Sequence, residues 1–146
     1  MNGEPVRSRE LDISRAFFLV FDRGDEVLAK LRAFAQENRI AGGHFTAIGG
    51  FDRVRFAWWS WETKEYEERE LEEQLEVVSL IGDIALEDGH TKLHAHVTLG
   101  RRDGICAGGH LIRGYVRPTL EMQLFDYGSS LTRKRDEETK LSLLEI

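Results

Sequence analysis

Three of the five histidines in this sequence lie within seventeen residues, at positions 94, 96 and 110. Because side chains alternate between the two faces of a β-strand, His94 and His96 are predicted to share one face, with apolar neighbours on the other. The glycine-bearing segment 100–104 predicts a turn, and closing it symmetrically sets His94 opposite His110. Opposed β-carbons on paired strands lie roughly 4.5–5.5 Å apart. The spacing therefore predicts that three imidazoles converge on one metal ion.

The chemistry that this histidine cluster (His94, His96 and His110) predicts is the binding of a divalent metal. Three imidazole nitrogens suit zinc, and also iron, nickel or copper, and they leave a coordination position for water, as catalytic zinc sites do. The same register places His96 opposite Gly108, where the absence of a side chain leaves room. A His-x-His pair on a strand is alternatively a half-buried polar pair satisfied by hydrogen bonds. His44 is expected to line the core or a pocket wall, and it is a further candidate for a position near the ion.

Two charged residues further along the chain are candidates for the wall of the same pocket. A two-residue turn at Arg113-Gly114 would place Arg117 across from His110 and project Glu121 on the same face. Glu121 could then carry a proton or orient a ligand, and Arg117 could hold a small anionic molecule. A surface ion pair or a contact between subunits is an equally good interpretation of both residues. The catalytic residues, if there are any, stay unassigned.

Length and charge limit the class of protein. A chain of 146 residues fits one domain and can bury a sizeable core without a disulfide or a metal. The net charge of −6 argues against a broad surface for phosphate backbones. The basic groups at 101–102 and 133–135 are expected to be solvated surface. With one cysteine, Cys106, and no apolar stretch typical of a signal peptide or a membrane span, a cytoplasmic location is expected.

The elements that position these residues follow from periodicity. Residues 1–14 are polar and expected to be a flexible N-terminal segment, and residues 15–146 are expected to form the domain. Apolar residues at helical spacing predict one long helix over 26–38, with Asp25 as its N-cap. A short final strand or helix is expected near 141–144. Runs rich in β-formers predict strands at 16–21, 44–48, 53–61, 65–71, 75–86, 92–99, 105–112 and 115–127.

This order of elements predicts an α+β fold: a single domain with a mixed, mainly antiparallel sheet and one long helix packed on it. Some predicted strands are apolar on both faces, notably at 56–61 and 77–81. One helix cannot cover both faces of such a sheet. The second layer is expected to come from other copies of the chain, in a cyclic homo-oligomer.

Taken together, these residues resemble the plant-and-prokaryote conserved domain, called PPC or PCC, which also carries an older label for PD1-like DNA-binding proteins. The resemblance covers about residues 15–127. It implies a mixed, mainly antiparallel sheet with a packed helix, assembled as a homotrimer, and a zinc-type site at the histidines that match the histidine cluster. The motifs that carry it are those at 24–28, 45–49, 76–82, 93–100 and 108–111.

The resemblance also implies DNA binding, but this sequence lacks the motif on which DNA binding by plant members depends. Plant members enter AT-rich minor grooves with a separate Arg-Gly-Arg-Pro hook, which is missing here. The segment 113–118 bridges a predicted turn and strand rather than forming a flexible arm. With the acidic charge, direct DNA binding is disfavoured.

A more distant resemblance links the fold to acetolactate decarboxylase, a zinc enzyme, through the three histidines alone. Three hypotheses therefore stay open: a trimeric metal-binding PPC protein, a metal-dependent lyase or hydrolase for a small molecule, and a DNA-associated regulator. Whether the chain is an enzyme is left open.

Overall fold

The computed structural model describes residue 3 and residues 5–146. Residues 1, 2 and 4 of the predicted flexible segment lie outside the described residues. The described residues between 5 and 14 carry no assigned helix or strand. The flexibility of residues 1–14 and the domain boundary at residue 15 stay predictions.

The described residues form one helix and eight strands. No helix among them is long and apolar enough to cross a lipid bilayer. The elements in chain order are β1 (Arg15–Asp22), α1 (Val27–Glu37), β2 (Gly43–Ser60), β3 (Glu65–Leu71), β4 (Leu75–Glu87), β5 (His90–Gly100), β6 (Cys106–Asp126), β7 (Thr132–Arg135) and β8 (Ser142–Glu145).

The strands form one mixed, mainly antiparallel sheet, as predicted. The antiparallel pairings of β2 with β6, β6 with β5, β5 with β4 and β4 with β2 close a ring. β1 adds to β6, and β3 adds to β2. β7 runs parallel to β4 and pairs with β8. The single-domain α+β architecture is therefore confirmed, while β7 was not predicted.

The helix packs on β5 and β6 through the apolar face that the periodicity predicted. Val27, Leu31 and Ala35 are fully buried on that face. The N-cap is Glu26 rather than the predicted Asp25, because the Glu26 carboxylate accepts hydrogen bonds from the backbone N–H groups of residues 28 and 29. These bonds satisfy donors that the first helical turn leaves free.

Two strands are far longer than expected. β2 spans 18 residues and β6 spans 21, and each joins two strands that were predicted separately. The predicted turn at Arg113-Gly114 is wrong, since both residues lie inside β6 and pair with β2. Gly114 is needed for packing instead: a β-carbon there would lie 2.6 Å from the Phe51 ring.

Candidate metal centre

The hairpin formed by β5 and β6 sets the geometry of the histidine cluster. His96 lies opposite His110, and Thr98 lies opposite Gly108. The predicted pairings of His94 with His110 and of His96 with Gly108 are therefore wrong by two residues. The predicted faces are nevertheless right, because a shift of two residues leaves each side chain on the same face of the strand.

The loop between these strands explains the shift. Pairing stops at Gly100 and Cys106, so the loop consists of residues 101–105 rather than the predicted 100–104, and this displacement by one residue changes each pairing by two. The Asp103 carboxylate accepts a hydrogen bond from the backbone N–H of Ile105 at 2.9 Å. Gly104 has a φ of 81°, which glycine adopts at little cost. These turn contacts favour a loop at 101–105, one residue later in the chain than predicted.

The three imidazoles converge on one face of the sheet. One ring nitrogen from each of His94, His96 and His110 lies within 4.8 Å of the others. The ring centroids are 5.0–5.9 Å apart. Nitrogens bound to one tetrahedral zinc lie about 3.3 Å apart, given Zn–N bonds of about 2.0–2.1 Å. Small ring rotations would therefore bring all three onto an ion.

Burial keeps two of these rings neutral. Burial lowers the pKa of His94, and the nearby Arg133 lowers it further, while Asp83 opposes this effect. Burial also lowers the pKa of His110 to about 4, with smaller contributions from the other two histidines. Both rings are therefore uncharged at neutral pH, which is the form that binds metal.

His110 offers a further sign that the cluster fits a cation. Its Nδ1 atom is buried and has no hydrogen-bond partner among the described residues. One face of its ring stacks on Tyr66, with the ring centroids 4.7 Å apart. An unpaired buried nitrogen costs free energy unless a ligand satisfies it. A metal ion or a water held by it would meet this need.

Arg133 is a residue near the cluster that the sequence pattern missed. It was expected on solvated surface, and this expectation is wrong, because its side chain is only 6% exposed. Its Nη2 atom donates to the two carboxylate oxygens of Asp83 at 2.9 and 2.8 Å and lies 3.2 Å from His94 Nδ1. The parallel pairing of β7 with β4 brings Arg133 there. No local spacing in the sequence indicates that pairing.

The structure separates Arg117 and Glu121 from the histidine cluster. Because β6 continues past the predicted turn, His110 faces Ala57, and Arg117 does not lie across from it. Both residues line another groove of about 520 Å³. The Arg117 guanidinium lies 3.7 Å from the Asp52 carboxylate, as an exposed ion pair.

His44 lies nearer to the histidine cluster. On β2 it faces Asp83, which in turn faces His94 on β5. The nitrogens of His44 are outside the group of three that could share one ion.

Comparison with known proteins identifies the type of domain. The family model of the Plants and Prokaryotes Conserved (PCC) domain matches residues 8–127. No curated protein matches the chain in sequence.

Solved structures match over nearly the whole chain. A metal-containing protein from Archaeoglobus fulgidus is 32% identical, with 97% of this chain and 100% of that chain covered and a TM-score of 0.89. A plant- and prokaryote-conserved (PPC) protein from Pyrococcus horikoshii is 30% identical, with 97% and 98% covered and a TM-score of 0.89. A protein from Bacteroides thetaiotaomicron, described as a proposed DNA-binding protein, is 25% identical, with 92% and 94% covered and a TM-score of 0.87.

A distant likeness in fold extends to an enzyme. Acetolactate decarboxylase from Bacillus subtilis subspecies spizizenii is 8% identical, with 80% of this chain and 53% of that chain covered and a TM-score of 0.57. At this identity the likeness concerns the fold alone. The distant resemblance expected from the sequence is confirmed at that level.

Proposed function

Because this chain belongs to the Plants and Prokaryotes Conserved domain family, we propose that it is a homotrimeric protein that holds a divalent metal ion, zinc, through the histidine cluster. The observation that carries the proposal is the convergence of three imidazole nitrogens within 4.8 Å of one another. Zinc accepts neutral imidazole nitrogens, and two of the rings are held neutral by burial.

The surroundings of the cluster favour a small anionic molecule as an additional ligand. Three protein nitrogens leave a coordination position open. His96 is exposed, so this position is reached from solvent beside it. Arg133 and Lys92 lie near these rings but are paired with Asp83 and Glu87. A bound metal ion would itself supply the positive charge that attracts an anion to the open position.

Trimer formation is supported by an apolar patch on the same face of the sheet. Its residues are 51–62% exposed in the single chain. Ile81 lies directly opposite His96 on the neighbouring strand, so the patch borders the histidine cluster. Groups of exposed large apolar side chains commonly mark a contact with another protein, and other copies of this chain would cover this group. The apolar patch consists of Phe18, Val20, Ile48, Val78 and Ile81.

A second candidate function is a metal-dependent lyase or hydrolase, and the open coordination position favours it. Bound zinc would supply a Lewis acid or an activated water. Tyr66, whose ring stacks on His110, is a candidate proton carrier, and burial raises the pKa of its hydroxyl. Glu121, which the sequence suggested as a proton carrier, lies in a different groove.

DNA binding is not part of the proposal, because a net charge of −6 disfavours contact with phosphates. A cytoplasmic location is proposed with the metal site, since the free, exposed Cys106 suits a reducing compartment.

The metal content of protein purified without added metal tests the proposal. Elemental analysis should find about one zinc per chain in the wild type and a loss of nearly all of it in a His94→Ala/His96→Ala variant. His90→Ala is the matched control, because His90 is exposed and outside the cluster. Negligible metal in the wild type, before and after incubation with zinc, would refute the metal site.

A further inference from the structure

Arg133 and Asp83 form a charged pair in contact with the histidine cluster. The Arg133 Nη2 atom is 2.9 and 2.8 Å from the two Asp83 oxygens. The Arg133 Nη1 atom donates to the carbonyl oxygen of Ser142 at 2.7 Å, which ties the guanidinium to β8. With its side chain 6% exposed, the guanidinium is held in one place beside His94.

The short distance between Arg133 and His94 determines where the imidazole carries its proton. A guanidinium can only donate hydrogen bonds, so His94 Nδ1, 3.2 Å from Arg133 Nη2, must accept. A neutral imidazole with an accepting Nδ1 carries its hydrogen on Nε2. In this arrangement neither nitrogen of His94 offers a free lone pair to an ion.

A histidine bound to a metal needs the opposite arrangement. Such a histidine commonly donates its second ring N–H to a carboxylate or a carbonyl oxygen. Asp83 is placed for this role, with Oδ2 3.9 Å from His94 Nδ1. Both of its oxygens, however, accept hydrogen bonds from Arg133. Asp83 keeps lone pairs free for a hydrogen bond from His94, but His94 can donate from Nδ1 only if Arg133 no longer donates to that atom.

We propose that Arg133 is a positioning residue that opposes metal binding by holding His94 in the Nε2–H tautomer. Binding through Nε2 then requires Arg133 to withdraw from Nδ1. The imidazole loses its Nε2 proton to water and gains one from water at Nδ1, so the number of protons on the ring is unchanged. The new Nδ1–H then donates a hydrogen bond to Asp83. An ion that bound Nδ1 instead would displace Arg133 directly. This inference rests on the proposed metal site and assigns its regulation to the Arg133–Asp83 pair.

The direction in which zinc affinity changes when Arg133 is removed distinguishes the proposed role from a purely structural one. If Arg133 only ordered the site, its removal would weaken zinc binding. If Arg133 competes with the ion, removal should strengthen binding by about tenfold, the change in affinity that corresponds to losing one hydrogen bond from a charged group. Asp83→Asn should weaken binding about tenfold, because a neutral amide accepts a hydrogen bond from Nδ1–H less strongly.

The test combines two measurements on the full chain. Nitrogen-15 NMR of metal-free protein reports the tautomer of His94, which should be Nε2–H in the wild type and Nδ1–H in Arg133→Met. Competition with a chromophoric chelator gives the zinc affinity of the wild type, Arg133→Met and Asp83→Asn. Arg135→Met is the matched control, because Arg135 is exposed on the same strand and should change neither result.

The possible outcomes are distinct. Nδ1–H in the wild type, or unchanged or weaker zinc binding in a folded Arg133→Met variant, would overturn the inference while leaving the metal site intact. Absence of zinc binding in every protein would instead overturn the proposed function. If Arg133→Met does not fold, Arg133→Lys replaces it, because its shorter ammonium can pair with Asp83 without reaching His94. The wild-type tautomer is measured in either case.

Discussion

Acid should destabilise the metal-free protein through His110, and the effect can be isolated from that of other groups. Burial lowers the pKa of this ring from the ordinary 6.5 to about 4 in the folded chain. Between these two pH values the unfolded chain binds a proton that the folded chain does not. Stability is therefore fully present above pH 6.5 and is lost as the pH falls toward 4.

The size of the loss follows from the difference between the two pKa values. One pKa unit corresponds to about 1.4 kcal/mol, so the fall from 6.5 to about 4 sets an upper limit of about 3.5 kcal/mol. The ring is only partly buried, and solvent screening reduces the expected contribution to about 1–2 kcal/mol. The lowered pKa of His94 adds a contribution of the same sign.

Urea unfolding of metal-free wild type and His110→Gln at pH 7.5 and pH 4.5 measures this contribution. The wild type should lose about 1–2 kcal/mol more than the variant over this range, because glutamine does not titrate. Carboxylates with lowered pKa values, such as Glu87, are present in both proteins and cancel in the comparison. Equal pH dependence of the two proteins would refute the burial argument.

Three further outcomes are expected. Ile48→Asp should break the trimer into smaller species in sedimentation velocity, because it places a charge in the proposed interface. Ile105→Asp is the control and should leave the trimer intact, because Ile105 is equally exposed but lies outside the apolar patch. A wild-type monomer at micromolar concentration would refute the proposed assembly. Gly114→Ala should lower the free energy of unfolding by about 1–3 kcal/mol, since the added methyl meets the Phe51 ring, while Gly3→Ala should be neutral in the same urea titration. Duplex DNA should show no mobility shift at physiological ionic strength, and a shift that weakens with added salt would contradict this.

The local spacing of apolar and polar residues was enough to predict the helix, most of the strands and the shared face of His94 and His96. These features depend on residues that are near in sequence, and strand periodicity survives an error of two residues in register. The continuity of β2 and β6 was not predictable in this way. The gap predicted between strands at 49–52 and the turn predicted at 113–114 both lie inside long strands, and at Gly114 the ring of Phe51 approaches the backbone closely.

In the candidate site, too, contacts between residues near in sequence were predictable and contacts between distant strands were not. The histidine cluster is built within one hairpin, so strand alternation and an approximate turn were sufficient to bring its members together. The placement of Arg117 and Glu121 beside it depended entirely on a turn at 113–114 that does not form. Arg133 reaches the cluster only because β7 pairs in parallel with β4, about 45 residues away in sequence. The residues proposed to bind the metal were thus within reach of sequence reasoning, whereas the one proposed to oppose it required the fold.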